Sequence, residues 1–256
     1  MIHELLKIEN LDFFYPLQMF QTASVRDIFI SAIRSPWNFF TERKKTISIL
    51  ENINLSIVKG DRLAILGVNG SGKTTLCRCI AGLLEPSQGK ITKTAKVGAV
   101  IQTEAGFFSD LTGRENAVLM SYFLYPMLTE QERVSLVSEV IEFSGLGSYA
   151  DATLDSYSSG MKARLSLSLT TALPTDLLIL DEAFNNVDEF FQKKSQDRIR
   201  KQIEESGAVI MISHHDQDLL QICNRGMVLN KGKLVYDGKV NVALKTYRLL
   251  NGEINV

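Results

Sequence analysis

Residues Gly67 to Thr75 read GVNGSGKTT, directly after the apolar run RLAIL at Arg62 to Leu66, and Leu76 and Ile80 carry the apolar pattern on at helical spacing. This is GxxxxGK[ST] between a buried-type strand and a helix, the context in which the motif has meaning. Glycines at positions 67, 70 and 72 let the backbone turn tightly, so that successive N–H groups face inward. The N-terminus of the following helix adds partial positive charge at the same place. Such a loop cradles phosphates. Gly67, Asn69, Gly70, Ser71, Gly72, Lys73, Thr74 and Thr75 are the candidate phosphate-binding set, with Lys73 reaching the β and γ phosphates and the Thr74 hydroxyl ligating Mg²⁺. A strand feeding a helix through such a loop commits the chain to an α/β fold.

The rest of the chain fits that commitment. With 256 residues and 45% apolar content it can bury a sizeable core. Lys plus Arg total 28 against 29 for Asp plus Glu, so the overall field gives no general attraction to nucleic acid. Cys77, Cys79 and Cys223 are too few for a disulfide framework and lack metal-ligand spacing, which predicts reduced thiols in the core. The opening MIHELLKIEN has no apolar signal region. No uninterrupted apolar run approaches the roughly 20 residues that cross a bilayer, so any membrane span belongs to a partner.

Alternating apolar residues predict strands over Leu5 to Leu11 and Ile47 to Ile57, and more continuous apolar runs predict buried strands at Arg62 to Leu66, Leu177 to Leu180 and Val209 to Ile212. From Leu111 to about Leu173 the pattern is helical. Thr112 with Glu115, and Thr129 with Glu132, are spaced as capping boxes. Arg225 to Leu229 and Lys233 to Tyr236 flank Asn230-Lys231-Gly232, which reads as a hairpin.

The phosphate loop alone leaves kinases, GTPases and several ATPases open. Leu177 to Glu182, LLILDE, narrows the choice, because it ends an apolar strand with two carboxylates at the edge where open α/β sheets bind ligands. Asp181 suits Mg²⁺, directly or through a water. Glu182 is placed to polarise the water that attacks the γ-phosphate.

Tyr157 to Met161 reads YSSGM. With GVNGSGKTT before it and LLILDE after it, nearly the whole chain resembles the nucleotide-binding subunits of ABC transporters. The resemblance implies a P-loop NTPase of the ABC ATPase type: a mixed-sheet, RecA-like core, an N-terminal antiparallel β layer and an inserted helical subdomain over about residues 103–172. It implies ATP and Mg²⁺ as cofactors, hydrolysis coupled to transport, and a homodimer that sandwiches ATP. In that family a sequence like LSGGQ completes the ATP site of the opposite subunit, so Ser158 and Gly160 would contact the γ-phosphate in trans. Ser159 and Met161 depart from the common form. Gln102 falls where the family senses Mg²⁺ and the attacking water, and His214 matches the switch histidine, favoured over His215 by register with Ser213. Asp188 aligns with the loop that crosses the dimer interface, and Tyr15 with the aromatic that stacks on adenine.

Finer details resemble the capsule, O-antigen and teichoic-acid exporter branch: YSSGM itself, LTGREN at Leu111 to Asn116, Gly106 and Phe107, and FQKK at Phe191 to Lys194. AFNNVD after Glu182 departs from the VLAVGD-like sequence usual there, and Gln102 stands where several members carry an acidic residue. The implied function is ATP-driven export of a polysaccharide or lipid-linked glycan through a separate integral-membrane permease, with this chain peripheral on the cytoplasmic side. A soluble ABC ATPase of translation or DNA repair is the competing reading. It would bring two cassettes in one chain or long coiled coil, and neither is seen. An exporter of a different substrate is the other.

Residues 17–46 exceed what a minimal cassette needs. Val25, Ile28, Phe29, Ala32 and Ile33 fall on one helical face, Ser24 can cap the start and Pro36 ends the run. Trp37, Phe39, Phe40 and the basic Arg43-Lys44-Lys45 follow, a composition suited to a membrane interface or a permease groove. Packing on its own domain is the alternative.

Overall fold

The computed structural model describes residues 3–16, 46–101, 107–181, 189–213 and 215–252. Two sheets enclose the first helix. Strands β1 (Glu4–Pro16) and β2 (Thr46–Val58) pair antiparallel, and β4 (Gln88–Lys93) adds to the other edge of β1, giving the order β2-β1-β4. Facing this layer is a six-stranded sheet of order β5-β6-β7-β3-β8-β9, built from β3 (Arg62–Leu66), β5 (Val97–Ile101), β6 (Leu177–Asp181), β7 (Ala208–Ile212), β8 (Arg225–Asn230) and β9 (Lys233–Lys239). Its first five strands run parallel, and β9 returns antiparallel to β8. The predicted mixed-sheet core with an antiparallel β layer is therefore the observed fold.

Burial explains the difference between strands. Every residue of β6 and β7 is buried, because helices or the second sheet cover both faces, whereas β9 alternates between exposed and half-buried. Helix α1 (Lys73–Ala81) lies between the two sheets, with Leu76, Cys77 and Ile80 fully enclosed against Leu11, Leu50, Ile57, Ile179 and Ile210. Each such aliphatic side chain contributes about 1.5–3 kcal/mol relative to exposure, so the loop that starts α1 is anchored by its helix.

The opposite face of the large sheet carries α5 (Glu189–Glu205), α6 (Asp216–Ile222) and α7 (Val240–Leu250), which bury Phe191, Ile199, Leu219, Ala243 and Leu244 against β6, β7 and β8. A third core belongs to a helical layer: α2 (Gly113–Leu124), α3 (Glu130–Ser144), two 3-10 turns at Gly147–Asp151 and Leu154–Ser156, and α4 (Ser159–Thr170). Both expected capping boxes form. Thr112 Oγ1 accepts from the Glu115 amide while the Glu115 carboxylate accepts from the Thr112 amide, and Thr129 and Glu132 repeat the exchange. Strands β4 and β5 and helices α6 and α7 were not predicted. β4 is polar and almost wholly exposed, so it lacks the alternation that marks a half-buried strand.

Among the described residues no helix is long and apolar enough to cross a membrane. The expected amphipathic helix and basic cluster at residues 17–45 lie outside the described residues.

Candidate functional site

Helix α1 begins at the C-terminal edge of the parallel sheet, immediately after β3, and its first turn has no acidic residue. Gly72 occupies the N-cap and supplies no side chain, so the first N–H groups of α1 remain available to an anion. Lys73 Nζ donates to the carbonyls of Gly67 at 2.7 Å and Val68 at 3.2 Å, holding its charge over the loop. Val68, Asn69 and Gly70 are exposed, and Thr74 and Thr75 are half-buried on the first turn. Ser71 is the reverse: it is 1% exposed and its Oγ has no hydrogen-bond partner. A hydroxyl buried without a partner is costly to keep, and beside open helix amides and a lysine it fits a site that receives phosphate oxygens.

The loop is held in shape from outside by the β8–β9 turn, which the sequence marked only as a hairpin. Lys231 and Gly232 both adopt positive φ, 47° and 78°, the pairing expected of a tight two-residue hairpin turn. Gly232 N–H donates to the Ser71 carbonyl at 3.2 Å, and the Glu51 N–H of β2 donates to the Gly232 carbonyl at 2.9 Å. A Cβ on Gly232 would lie 2.5 Å from the Ile49 carbonyl oxygen, and one on Gly67 would lie 2.4 Å from that of Leu229. The loop is thus wedged between β2 and the β8–β9 turn with no space for a side chain at either contact. Glycine at 232 was legible as a turn requirement; its tertiary partner was not.

Asp181 ends β6 at 5% exposure, flanked by Ile101 of β5 and Ile212 of β7. Burial pushes the Cys77 thiol well above its ordinary value, and the nearby Asp181 charge pushes it further. Strand β6, which Asp181 ends, packs against α1, the helix that carries Lys73 and Thr74. Burial likewise raises Cys79 to about 11 and Cys223 to about 12, so all three cysteines are protonated core thiols, as expected.

The remaining expected residues divide in two. Tyr15 lies opposite Ile47 in the β1–β2 ladder, two residues from the Ile49 carbonyl that meets Gly232, and is 41% exposed. Its ring meets Phe13 edge-on at 5.0 Å, which leaves it an aromatic surface rather than a core tyrosine. Ser158 caps α4, its Oγ accepting from the Met161 amide at 3.2 Å, and Gly160 sits in the first turn behind it, in the helical layer. Gln102, Glu182, Asp188 and His214 lie outside the described residues. His215, the competitor to His214, precedes α6 and donates its N–H to Ser213 Oγ at 3.0 Å.

A glycine-rich loop and helix at the carboxyl edge of a mixed sheet, a buried aspartate at the neighbouring strand end and an inserted helical layer define a nucleotide-binding α/β protein with an appended helical lobe. The sequence pattern of the ABC transporter family matches residues 50–185, and the chain belongs to that family. It is 30% identical over 234 residues to the O-antigen export system ATP-binding protein RfbB of Klebsiella pneumoniae, covering 91% of this chain and 93% of the relative. It is 34% identical over 205 residues to the teichoic acids export ATP-binding protein TagH of Staphylococcus epidermidis, covering 80% of this chain and 76% of the relative. Among solved structures it is similar to a dimeric ATP-binding cassette in a post-hydrolysis state with ADP and Pi, at a TM-score of 0.66 and 21% identity, covering 92% of this chain and 99% of the other. As a member of this family the chain binds ATP and is an ATPase.

Proposed function

We propose that the chain powers export of a cell-surface polysaccharide or lipid-linked glycan through a separate membrane permease, acting as an ATP-sandwiched homodimer on the cytoplasmic face of the cell membrane. The observation that carries this reading is the near full-length similarity to ATP-binding proteins named for O-antigen and teichoic acid export. In this reading the loop from Gly67 to Thr75 holds the phosphates, with Lys73 neutralising the β and γ groups and the amides of α1 completing the cradle. Thr74 and Asp181 would hold Mg²⁺, with Gln102 beside it, and the ion would supply positive charge to offset the charge that develops on the phosphates. Glu182 draws a proton from the attacking water, and His214 steadies the γ-phosphate. Tyr15 stacks on the adenine. Ser158 and Gly160 of one copy meet the nucleotide held by the other, and Asp188 crosses the interface. Residues 17–46 reach the permease.

The reading is tested by mass spectrometry of glycans in native cells from which the chain has been deleted. Surface polysaccharide should fall while its lipid-linked precursor accumulates inside, and wild-type protein should restore both. Unchanged surface and internal glycan pools would contradict the export assignment.

A further inference from the structure

FQKK at Phe191 to Lys194 has no part in the phosphate cradle, yet two of its residues share a task with Arg198 one turn further on. Phe191, 3% exposed in the first turn of α5, meets Phe143 at the end of α3 in an edge-on contact with ring centroids 5.7 Å apart. One turn along α5, Lys194 Nζ lies 4.3 Å from the centre of the Phe143 ring and donates to the Phe143 carbonyl at 3.0 Å. A further turn along, the Arg198 guanidinium lies 4.0 Å from the same ring and pairs with Glu139 of α3 at 2.7 Å. Phe143 is therefore gripped by one aromatic edge and two cations from a single helix.

The same face of α5 holds α4 at its middle and at its C-terminal end. At its middle, Arg164 lies over the Phe191 ring at 5.6 Å. At its C-cap, the Thr171 carbonyl accepts from Arg198 Nε at 3.0 Å and Gln202 Nε2 at 3.1 Å. Helix α4 is the one that Ser158 caps, and α5 follows the carboxylates at positions 181 and 182 after only a short connection.

We propose that Phe143, gripped by Lys194 and Arg198, is a positioning residue that sets where α4, the helix that Ser158 caps, stands relative to α5. It thereby governs completion of the ATP site between two copies, not nucleotide binding by one. The inference rests on the reading that Ser158 completes the partner's site.

Full-length protein with Phe143→Leu tests it, since leucine keeps apolar bulk and removes the ring face. Affinity for a fluorescent ATP analogue, and KM, should stay within about twofold of wild type. At fixed protein concentration kcat should fall at least tenfold, the concentration of protein giving half-maximal ATPase activity should rise at least fivefold, and Phe143→Tyr should restore both. An unchanged kcat, a nucleotide affinity that falls in step with kcat, or a tyrosine variant no better than leucine would overturn the proposal. If Phe143→Leu does not fold, Lys194→Met carries the test, because Lys194 is exposed: a rise of about threefold in the half-maximal concentration supports the clamp, and no rise overturns it. A wild-type ATPase activity per subunit independent of protein concentration would instead reject the two-copy site on which the clamp depends.

Discussion

The phosphate loop and the helical lobe are held in place by opposite means. Around the loop, side chains are missing where they would ordinarily be: Gly67 and Gly232 touch backbone carbonyls directly, and the loop takes its shape from main-chain contacts to β2 and to the β8–β9 turn. The lobe is placed by side chains, through the grip of α5 on Phe143, the Arg198 bonds to Glu139 and the Thr171 carbonyl, and the capping boxes that start α2 and α3. Main-chain packing without side chains admits almost one geometry. Cation–aromatic contacts worth about 0.5–2 kcal/mol each hold a position firmly yet can be exchanged for water one at a time. In the proposed reading, the part that grips nucleotide is thus built stiff, and the part that meets a second copy is built on contacts that can be exchanged singly.

Two substitutions separate these modes. The larger effect belongs to Gly232→Ala, since the added methyl meets the Ile49 carbonyl at 2.5 Å and the displaced turn pulls on Ser71. Nucleotide affinity, measured with a fluorescent ATP analogue, should fall at least tenfold. Lys231→Asn, at the adjoining positive-φ position, should leave it within twofold, because asparagine tolerates that backbone. Equal losses for both would mean that the turn acts only through its own conformation. A smaller effect is expected of Thr112→Ala, which removes a helix cap in the lobe. Denaturant titration should show a loss of about 1 kcal/mol with unchanged nucleotide affinity. A parallel loss of affinity would show that the two regions are not mechanically separate.

The same contrast explains what the sequence could convey. The cradle was legible because its requirements are local: glycines at fixed offsets, a lysine, a hydroxyl, a strand before and a helix after. The capping boxes at Thr112 and Thr129 were legible for the same reason, being pairs three residues apart that satisfy each other. The all-buried strands β6 and β7 announced themselves as apolar runs, whereas β4 did not, since its exposed residues gain their strand conformation only from pairing with β1. Phe143 and Arg198 lie 55 positions apart, and Ser71 and Gly232 lie 161 apart. Nothing in either local pattern names its partner. FQKK was visible as a motif, but its meaning depends on a ring presented by another helix.

In the proposed mechanism Glu182 supplies the base, and trapped ATP joins two copies through Ser158 and Gly160. Glu182→Gln keeps the shape of the side chain and a hydrogen-bonding oxygen while removing the charge that draws off a proton. A general base contributes about 10²–10⁴ in rate, or about 3–5 kcal/mol of barrier, so turnover should nearly vanish while binding survives. On a sizing column this variant should run as a monomer without nucleotide and as a dimer with Mg-ATP, and adding Asp181→Asn should abolish the dimer by weakening the metal site. A Glu182→Gln protein that hydrolyses ATP at close to the wild-type rate, or that stays monomeric with Mg-ATP, would contradict the account.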